Sequence, residues 1–372
     1  MLLSDLPTPL VLIDHRRLLN NIERVQKLAT EAGLRLRPHA KTHKSPIIAQ
    51  WQLDRGAVGI CCAKVGEAEV MARAGISDIR LAYPIHPSNA PRLLGLMDRA
   101  SLSIVVDHAG IARAWSDAMR RAGRTLDVLV KVDVGFHRCG IDPAAPDALE
   151  FILAVASMPG LRLRGLLSHA GQGYQATSAS ELRAIAEREA EILTTLGHRV
   201  RGAGIALEDM SVGATPTLRY SLRQPGVTEL RPGNYVYFDR TQLALGAASL
   251  DDCAMTVLAT VVSKPAADRL ILDCGSKTLT TDLARGFGPM HGYGVVVAPD
   301  GNTIDETLAI ERLSEEHAIV QVAGCTALAP GDRVRVLPNH ACVVANMVDE
   351  VLLVEGERVI DKLPVAARGK TT

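Results

Sequence analysis

Hydrophobic and polar positions follow one rhythm from residue 8 to about residue 240. Short apolar runs of strand length alternate there with longer stretches in which apolar residues recur about every three or four positions, as on one face of a helix. The apolar run Val58–Cys62, for example, precedes a helical pattern over Val65–Ala74 that Gly75 ends. This rhythm predicts repeated strand–helix units with parallel strands.

Eight strands are predicted between residues 34 and 231, apart from an isolated first strand at Thr8–Asp14. Eight such units close into a TIM-type (β/α)8 barrel. An open doubly wound sheet is the competing fold, but no G-x-G-x-x-G sequence follows an early strand. The predicted strands begin at Leu34, Val58, Asp78, Ser103, Asp127, Leu163, Asp209 and Thr228.

A second rhythm begins after about residue 245, where short β-rich runs separated by Gly, Pro and Asp replace the alternation. It predicts an all-β domain, a small barrel or sandwich, into which the first strand could fit. We therefore expect a barrel domain over residues 8–240 and a β domain over residues 241–372. Residues 1–14 are expected to join the β domain. The turns include Pro299-Asp300-Gly301, and the runs are Val257–Val262, Arg269–Leu272, Ala318–Val322, Arg333–Leu337, Val351–Val354 and Arg358–Leu363.

Composition argues against several classes of function. The 372 residues include 41 basic and 41 acidic side chains and 3% aromatic residues, which disfavours a surface for nucleic acid or anionic membranes. No apolar run approaches the roughly 20 residues of a membrane span, and the first residues lack the pattern of a signal peptide. Seven scattered cysteines suit a reducing compartment, so we expect a cytoplasmic protein.

The stretch Leu34–Lys44 holds the first candidate chemistry. It starts as a strand with alternating apolar and basic residues, and then runs through Pro38 into two histidines and two lysines, among them Lys41. A lysine that is desolvated or pressed against other cations can act as an amine nucleophile. In isolation, such a cluster would be an ordinary basic loop.

Catalytic groups of a parallel barrel lie at the carboxyl ends of its strands and in the loops that follow. Lys41 lies at the end of the first barrel strand. The last two strands end in small, Gly-rich loops, Gly213-Ala214-Thr215 and Gly233-Asn234, which let backbone N–H groups approach a phosphate. A phosphate site without a Walker sequence, facing a strand-end lysine, predicts pyridoxal phosphate bound as a Schiff base.

Three segments resemble fold-type III pyridoxal phosphate enzymes, namely Arg37–Lys44, Val132–Gly135 with Arg138–Gly140, and Arg231–Gly233. The chain is most similar to the branch of D-threonine aldolase and D-serine dehydratase, which combines an alanine-racemase-type barrel with a β domain. This resemblance implies that Lys41 binds the cofactor covalently and that Arg138 donates a hydrogen bond to the cofactor's phenolic oxygen. It also implies a set of phosphate ligands, which are Gly213, Ala214, Thr215, Gly233 and Asn234.

The segment Pro338–Cys342 is a candidate metal site. If it is a strand, His340 and Cys342 share one face and both can bind one ion. On its own, an H-x-C pair is more often structural, because free cysteine is usually a small buried hydrophobe. The resemblance implies a divalent metal ion here, and Cys342 favours Zn²⁺ without excluding Mn²⁺ or Mg²⁺.

Further candidates lie at other strand ends and in the β domain. His169 and Tyr174 could act as acid, base or contact to the cofactor ring, or could simply pack. Arg231 stands where alanine racemases place an arginine against the pyridine nitrogen, which would leave that nitrogen unprotonated. Lys277 is open between a substrate carboxylate and the protein surface.

The resemblance implies a lyase acting on a small D-β-hydroxy-α-amino acid, with D-threonine aldolase as the preferred reaction. D-serine dehydratase is the first alternative, since Cys342 stands where dehydratases carry cysteine and several aldolases carry aspartate. An amino acid racemase would not need the metal pair, and a non-catalytic pyridoxal phosphate carrier usually lacks a β domain. The resemblance also implies a homodimer.

Overall fold

A computed structural model of the chain describes residues 1–297 and 303–372, so the turn expected at residues 299–301 lies outside the described residues. Its strands form two sheets, one of eight parallel strands and one of nine. The predicted fold class, a parallel barrel followed by a smaller β domain, is confirmed. In chain order the strands are β1 Leu10–Asp14, β2 Arg35–Leu36, β3 Ile60–Cys62, β4 Asp78–Pro84, β5 Ser101–Val106, β6 Leu126–Lys131, β7 Leu161–Leu167, β8 Asp209–Val212, β9 Glu229–Leu230, β10 Met255–Ala266, β11 Arg269–Leu272, β12 Val295–Val297, β13 Ile304–Leu313, β14 Ala318–Val322, β15 Arg333–Leu337, β16 Glu350–Glu355 and β17 Arg358–Pro364.

The barrel runs in the order β2-β9-β8-β7-β6-β5-β4-β3, and the short strand β2 closes it. On one side, strand β2 pairs with β9. On the other side the N–H of Val58 donates to the carbonyl of Leu36 at 2.9 Å, and that of Cys61 to the carbonyl of Pro38 at 2.7 Å. Pro38 has no N–H, but its carbonyl is enough to hold the closing strand.

Helices follow most barrel strands, as the alternation predicts. The aspartate that ends β1, Asp14, caps the first helix by accepting from the N–H of Arg17 at 2.8 Å. The predicted series has no counterpart for α2 and α4 or for the four short helices α8 to α11. Both α2 and α4 carry a proline in the first turn, where a missing N–H is harmless. The helices are α1 His15–Glu31, α2 Pro46–Asp54, α3 Val65–Arg73, α4 Ala90–Met97, α5 Ala109–Arg121, α6 Ala148–Ser157, α7 Ala179–Gly202, α8 Leu218–Ser221, α9 Arg240–Ala244, α10 Ser276–Leu279 and α11 Ala341–Ala345.

The barrel interior contains a buried ionic network rather than only apolar layers. Arg37 Nε donates to Glu229 Oε2 at 2.9 Å, and Arg80 binds both Glu229 and Asp209. The hydroxyl of Ser211 donates to the same glutamate. Burial alone would raise the pKa of Glu229, but Arg80 and Arg37 outweigh it and lower the pKa to about 2.

The second sheet closes on itself and recruits the first strand. Strand β10 pairs with both β11 and β15, so six of the nine strands form a ring. Strand β1 lies between β10, to which it is antiparallel, and β16, to which it is parallel. The short helix α11 follows β15 and packs against the turn after β2, which brings the β domain to the mouth of the barrel. No helix in the described part of the chain is long and apolar enough to cross a membrane.

Candidate active site

A cavity of about 760 Å³ opens at the carboxyl ends of the barrel strands and is walled on one side by the β domain. Every candidate residue of the cofactor and metal sites lines it. Those residues are Lys41, Arg138, His169, Tyr174, Gly213, Ala214, Thr215, Arg231, Gly233, Asn234, His340 and Cys342. The fold thus gathers groups that are about 300 residues apart in the sequence.

Lys41 lies in a 3₁₀ turn, Ala40–Thr42, directly after the strand that closes the barrel. The ring of His39 accepts from the Lys41 N–H at 3.4 Å, and burial together with the charge of Lys41 holds the pKa of His39 well below its usual value. Lys44 turns away and pairs with buried Glu67, with 3.7 Å between Nζ and Oε1. Lys41 is therefore the lysine of this segment that reaches the cavity.

The two loops expected to bind phosphate meet at one end of the cavity. Thr215 Oγ1 is buried and has no hydrogen-bond partner among the described residues. A Cβ added at Gly213 would lie 3.0 Å from Arg231 Cβ, and one at Gly233 would lie 3.1 Å from His39 Cβ, so both positions leave little room for a side chain. Asn234 donates from its side-chain amide to Asp239 Oδ2 at 2.6 Å.

His169 is fixed in one tautomer. Its Nδ1 donates to the carbonyl of Gly213 at 2.5 Å, because a carbonyl can only accept. Burial, followed by the charges of Lys41 and Lys131, lowers the pKa of His169 well below its usual value. The ring is consequently neutral and keeps Nε2 as a base. Nearby, burial raises the pKa of Tyr174, so its phenol stays protonated.

The two arginines of the site have different surroundings. Arg138 is exposed and its guanidinium lies over the ring of Phe136, 5.3 Å from the ring centroid. Arg231 is buried and donates to the hydroxyl of Ser211 and to the carbonyl of Ser168. No carboxylate touches its guanidinium directly within the described residues, since Ser211 stands between it and the barrel network.

His340 and Cys342 do not lie on a strand, which was the condition under which the sequence placed both on one face. Strand β15 ends at Leu337; His340 is the N-cap of α11 and Cys342 lies in that helix's first turn. The two side chains nevertheless interact electrostatically, and the thiol and imidazole shift one another's pKa in opposite directions. Burial opposes both shifts, yet the pKa of Cys342 falls and that of His340 rises.

These two donors form an open pair rather than a closed metal cage. The part of the chain that the structure describes holds no cluster of three or more His, Cys, Asp or Glu side chains arranged around one ion. Two protein ligands with remaining positions for water and substrate are compatible with a catalytic ion, whereas a structural zinc site would need four.

Several cavity residues were not predicted from the sequence, among them Lys131, Asp239 and Asp282. Lys131 is the last residue of β6, and burial together with Arg231 lowers its pKa to about 7. A lysine at the end of an apolar barrel strand was a usable signal. Asp239 and Asp282 come from loops, and no spacing in the sequence connects them to the site. Lys277, by contrast, forms exposed ion pairs with two glutamates at 2.7 and 2.8 Å.

Comparison with known proteins agrees with this arrangement. Residues 13–241 match the family described as "Alanine racemase, N-terminal domain", and residues 254–354 match "Putative serine dehydratase domain". The chain is 35% identical over 356 residues to D-threo-3-hydroxyaspartate dehydratase of Delftia sp. (strain HT23), covering 91% of this chain and 92% of that enzyme. It is 34% identical over 376 residues to D-threonine aldolase of an Arthrobacter species, covering 99% and 94%.

The three-dimensional comparison gives the same family. A solved structure of a D-threo-3-hydroxyaspartate dehydratase mutant in the metal-free form has a TM-score of 0.91 and 32% identity, covering 98% of each chain. The chain therefore belongs to the D-threonine aldolase and D-serine dehydratase family of fold-type III pyridoxal phosphate enzymes, with an alanine-racemase-type barrel.

Proposed function

We propose that this protein is a pyridoxal-phosphate- and divalent-metal-dependent lyase that cleaves D-threonine to glycine and acetaldehyde. The observation that carries the proposal is a neutral His169 in the same cavity as Lys41 and the His340–Cys342 pair. A base, a cofactor lysine and two metal donors are the groups that cleavage of a β-hydroxy-α-amino acid needs.

The cavity fits the cofactor. Lys41 would hold it covalently, and Thr215 Oγ1, which is buried without a partner, would donate to its phosphate beside the N–H groups of Gly213 and Gly233. Arg231 would face the ring nitrogen, Arg138 the phenolic oxygen and Tyr174 the ring region. When bound, pyridoxal phosphate takes up the electron pair released at Cα.

The protein's own groups divide the remaining work. His169 accepts the proton of the substrate's β-hydroxyl at Nε2, because Nδ1 is committed to the carbonyl of Gly213. With that proton removed, the bond between Cα and Cβ breaks, acetaldehyde leaves, and Cα takes up a proton to give glycine. Burial beside Lys41 and Lys131 keeps His169 neutral, which is the state a base requires.

His340 and Cys342 would hold the metal ion. The lowered pKa of the thiol and the soft sulfur fit Zn²⁺ well, and Mn²⁺ or Mg²⁺ fit less well. When bound, the ion would act as a Lewis acid toward the β-hydroxyl. The metal-free form of the structurally similar dehydratase mutant supports a metal requirement in this family.

D-serine dehydratase activity is the second candidate, and Cys342 favours it. The similar identities to a dehydratase and to an aldolase, 35% and 34%, do not discriminate between the two reactions. In the dehydration, Lys41 would take the α-proton and hydroxide would leave from Cβ, giving an oxo acid and ammonia.

Product analysis distinguishes the reactions. The purified protein is incubated with D-threonine and D-serine, and acetaldehyde, 2-oxobutanoate and pyruvate are assayed. Acetaldehyde with an equal amount of glycine supports the aldolase, and oxo acids with ammonia support the dehydratase instead. Turnover of either kind that a chelator leaves unchanged would exclude both metal-dependent lyases. The homodimer remains a proposal that mass measurement in solution would test.

A further inference from the structure

A threonine next to the cofactor lysine contacts the proposed metal ligand. Thr42 is fully buried, and its Oγ1 lies 3.1 Å from the Sγ of Cys342, which is 300 residues away in the sequence. Thr42 ends the 3₁₀ turn that carries Lys41, and the helix that carries Cys342 packs on this turn. The 3₁₀ turn Ala40–Thr42 thus carries Lys41 and also contacts the sulfur of Cys342 through Thr42.

The direction of this hydrogen bond follows from the chemistry of the ligand. A cysteine that binds a metal ion does so as a thiolate, which has no proton to donate. The hydroxyl of Thr42 must then be the donor. A second donor, the side-chain amide of Asn234, approaches the sulfur at 3.6 Å and is itself held at 2.6 Å by Asp239.

We propose that Thr42 is a positioning residue for the metal site: its hydroxyl holds the sulfur of Cys342 in the orientation in which His340 and Cys342 bind the same divalent cation. The inference rests on the proposed function in one respect, the assignment of these two residues as metal ligands. Outer-shell hydrogen bonds of this kind typically change metal affinity by about 10–100-fold when they are removed.

The same contact couples the metal site to the cofactor lysine. The turn packs closely on the Gly233 loop, where an added Cβ would lie 3.1 Å from both Thr42 Oγ1 and His39 Cβ. Thr42 belongs to the same 3₁₀ turn as Lys41, so we expect a change in the position of the sulfur to reach that turn through the hydrogen bond. This coupling predicts that loading the metal site alters the absorption of the lysine-bound cofactor.

The test measures zinc binding without substrate. Zn²⁺ is titrated against a competing chelator into the pyridoxal-phosphate-loaded protein and its Thr42→Val and Thr42→Ser variants, and the visible cofactor band is followed. Valine has the shape of threonine without the hydroxyl, so we expect about 10–100-fold weaker binding and no metal-induced change in the band. Serine keeps the donor and should bind zinc as the unchanged protein does. Thr256→Val, at a buried position of β10 away from the cavity, controls for the loss of a buried hydroxyl.

The outcomes separate this inference from the proposed function. Unchanged zinc affinity in Thr42→Val, or equal losses in Thr42→Val and Thr42→Ser, would overturn the role of Thr42 alone. If His340→Ala binds zinc as tightly as the unchanged protein, the metal assignment fails and the role of Thr42 fails with it.

Discussion

The Oδ2 atom of Asp282 lies 2.6 Å from the Nδ1 atom of His340. A carboxylate can only accept, so Nδ1 donates, and Nε2 is the ring nitrogen that remains for a metal ion. This carboxylate–histidine pair has the arrangement by which second partners orient metal-binding histidines. Asp282 comes from the loop between α10 and β12, which forms part of the cavity wall.

Replacing Asp282 should weaken metal binding without abolishing it. In Asp282→Ala the imidazole of His340 loses the partner that fixes its ring, and we expect about 10–100-fold lower Zn²⁺ affinity by chelator competition. The matched control is Asp98→Ala, which removes a similarly exposed carboxylate in an ion pair on the barrel surface. Equal affinities in Asp282→Ala and Asp98→Ala would contradict the orienting role.

The cofactor should be attached to Lys41 and not to Lys131. Both lysines line the cavity, and the lowered pKa of Lys131, about 7, makes it a rival amine nucleophile. Lys41→Ala should lose the visible absorption band of the lysine-bound cofactor, whereas Lys131→Met should keep it. Borohydride reduction followed by peptide mapping checks the assignment. A reducible band that persists in Lys41→Ala would show that the wrong lysine was chosen.

The pyridine nitrogen of the bound cofactor should remain unprotonated. Arg231 is a buried cation with two of its nitrogens held by Ser211 and Ser168, so it can donate to the ring nitrogen but cannot accept from it. We expect the ¹⁵N shift of labelled cofactor to match that of neutral pyridine, with free cofactor at low and high pH as references. A shift typical of pyridinium would refute this prediction.

The buried network below Arg231 should make a large, pH-dependent contribution to stability. Glu229 has a pKa of about 2 in the folded protein against 4.5 for an ordinary glutamate. Its contribution is therefore complete above pH 4.5 and is lost as the pH falls toward 2. We expect Glu229→Gln to lower the free energy of unfolding by about 3–5 kcal/mol at pH 7, because Arg37 and Arg80 lose a buried partner.

Urea unfolding at several pH values checks this prediction. The difference between the unchanged protein and Glu229→Gln should stay constant from pH 7 to about 4.5 and shrink as the pH falls further toward 3. Glu208→Gln is the control, since Glu208 pairs with Arg164 at the surface, and exposed pairs contribute only about 0–1 kcal/mol. A constant difference over this pH range would mean that the charge of Glu229 is not what stabilises the barrel.

The structure was easiest to predict from the sequence in the barrel, where the alternation of apolar runs and helical patterns is regular. The barrel strands repeat an apolar run before each helical pattern, so their order and the strand-end position of Lys41 could be predicted. The segment around His340 could not, because Pro338 and Asn339 end β15 and a single helical turn follows. Two residues at i and i+2 fit the pattern of a strand. The helix that actually begins there is too short to show the apolar periodicity that would have predicted it.

The rest of the site depends on contacts between distant parts of the chain. Asp282 contacts His340 from a β-domain loop, and Thr42 contacts Cys342 from the barrel. Neither residue belongs to a sequence motif from which its partner could be predicted. Lys131 belongs to a strand whose other residues are mostly apolar, so its burial and lowered pKa emerge only when Arg231 is packed beside it. Such residues become visible once the closing of the barrel sets their distances.

The position of β1 affects how the chain can fold during synthesis. This strand leaves the ribosome before its partners β10 and β16, which are made after the whole barrel, at residues 255–266 and 350–355. The barrel can close while the N–H and carbonyl groups of β1 are still unpaired. In that state β1 can pair with other nascent chains. Cutting the gene after the barrel would leave this strand permanently unpaired, so expressing the barrel alone should require removing residues 1–14 as well.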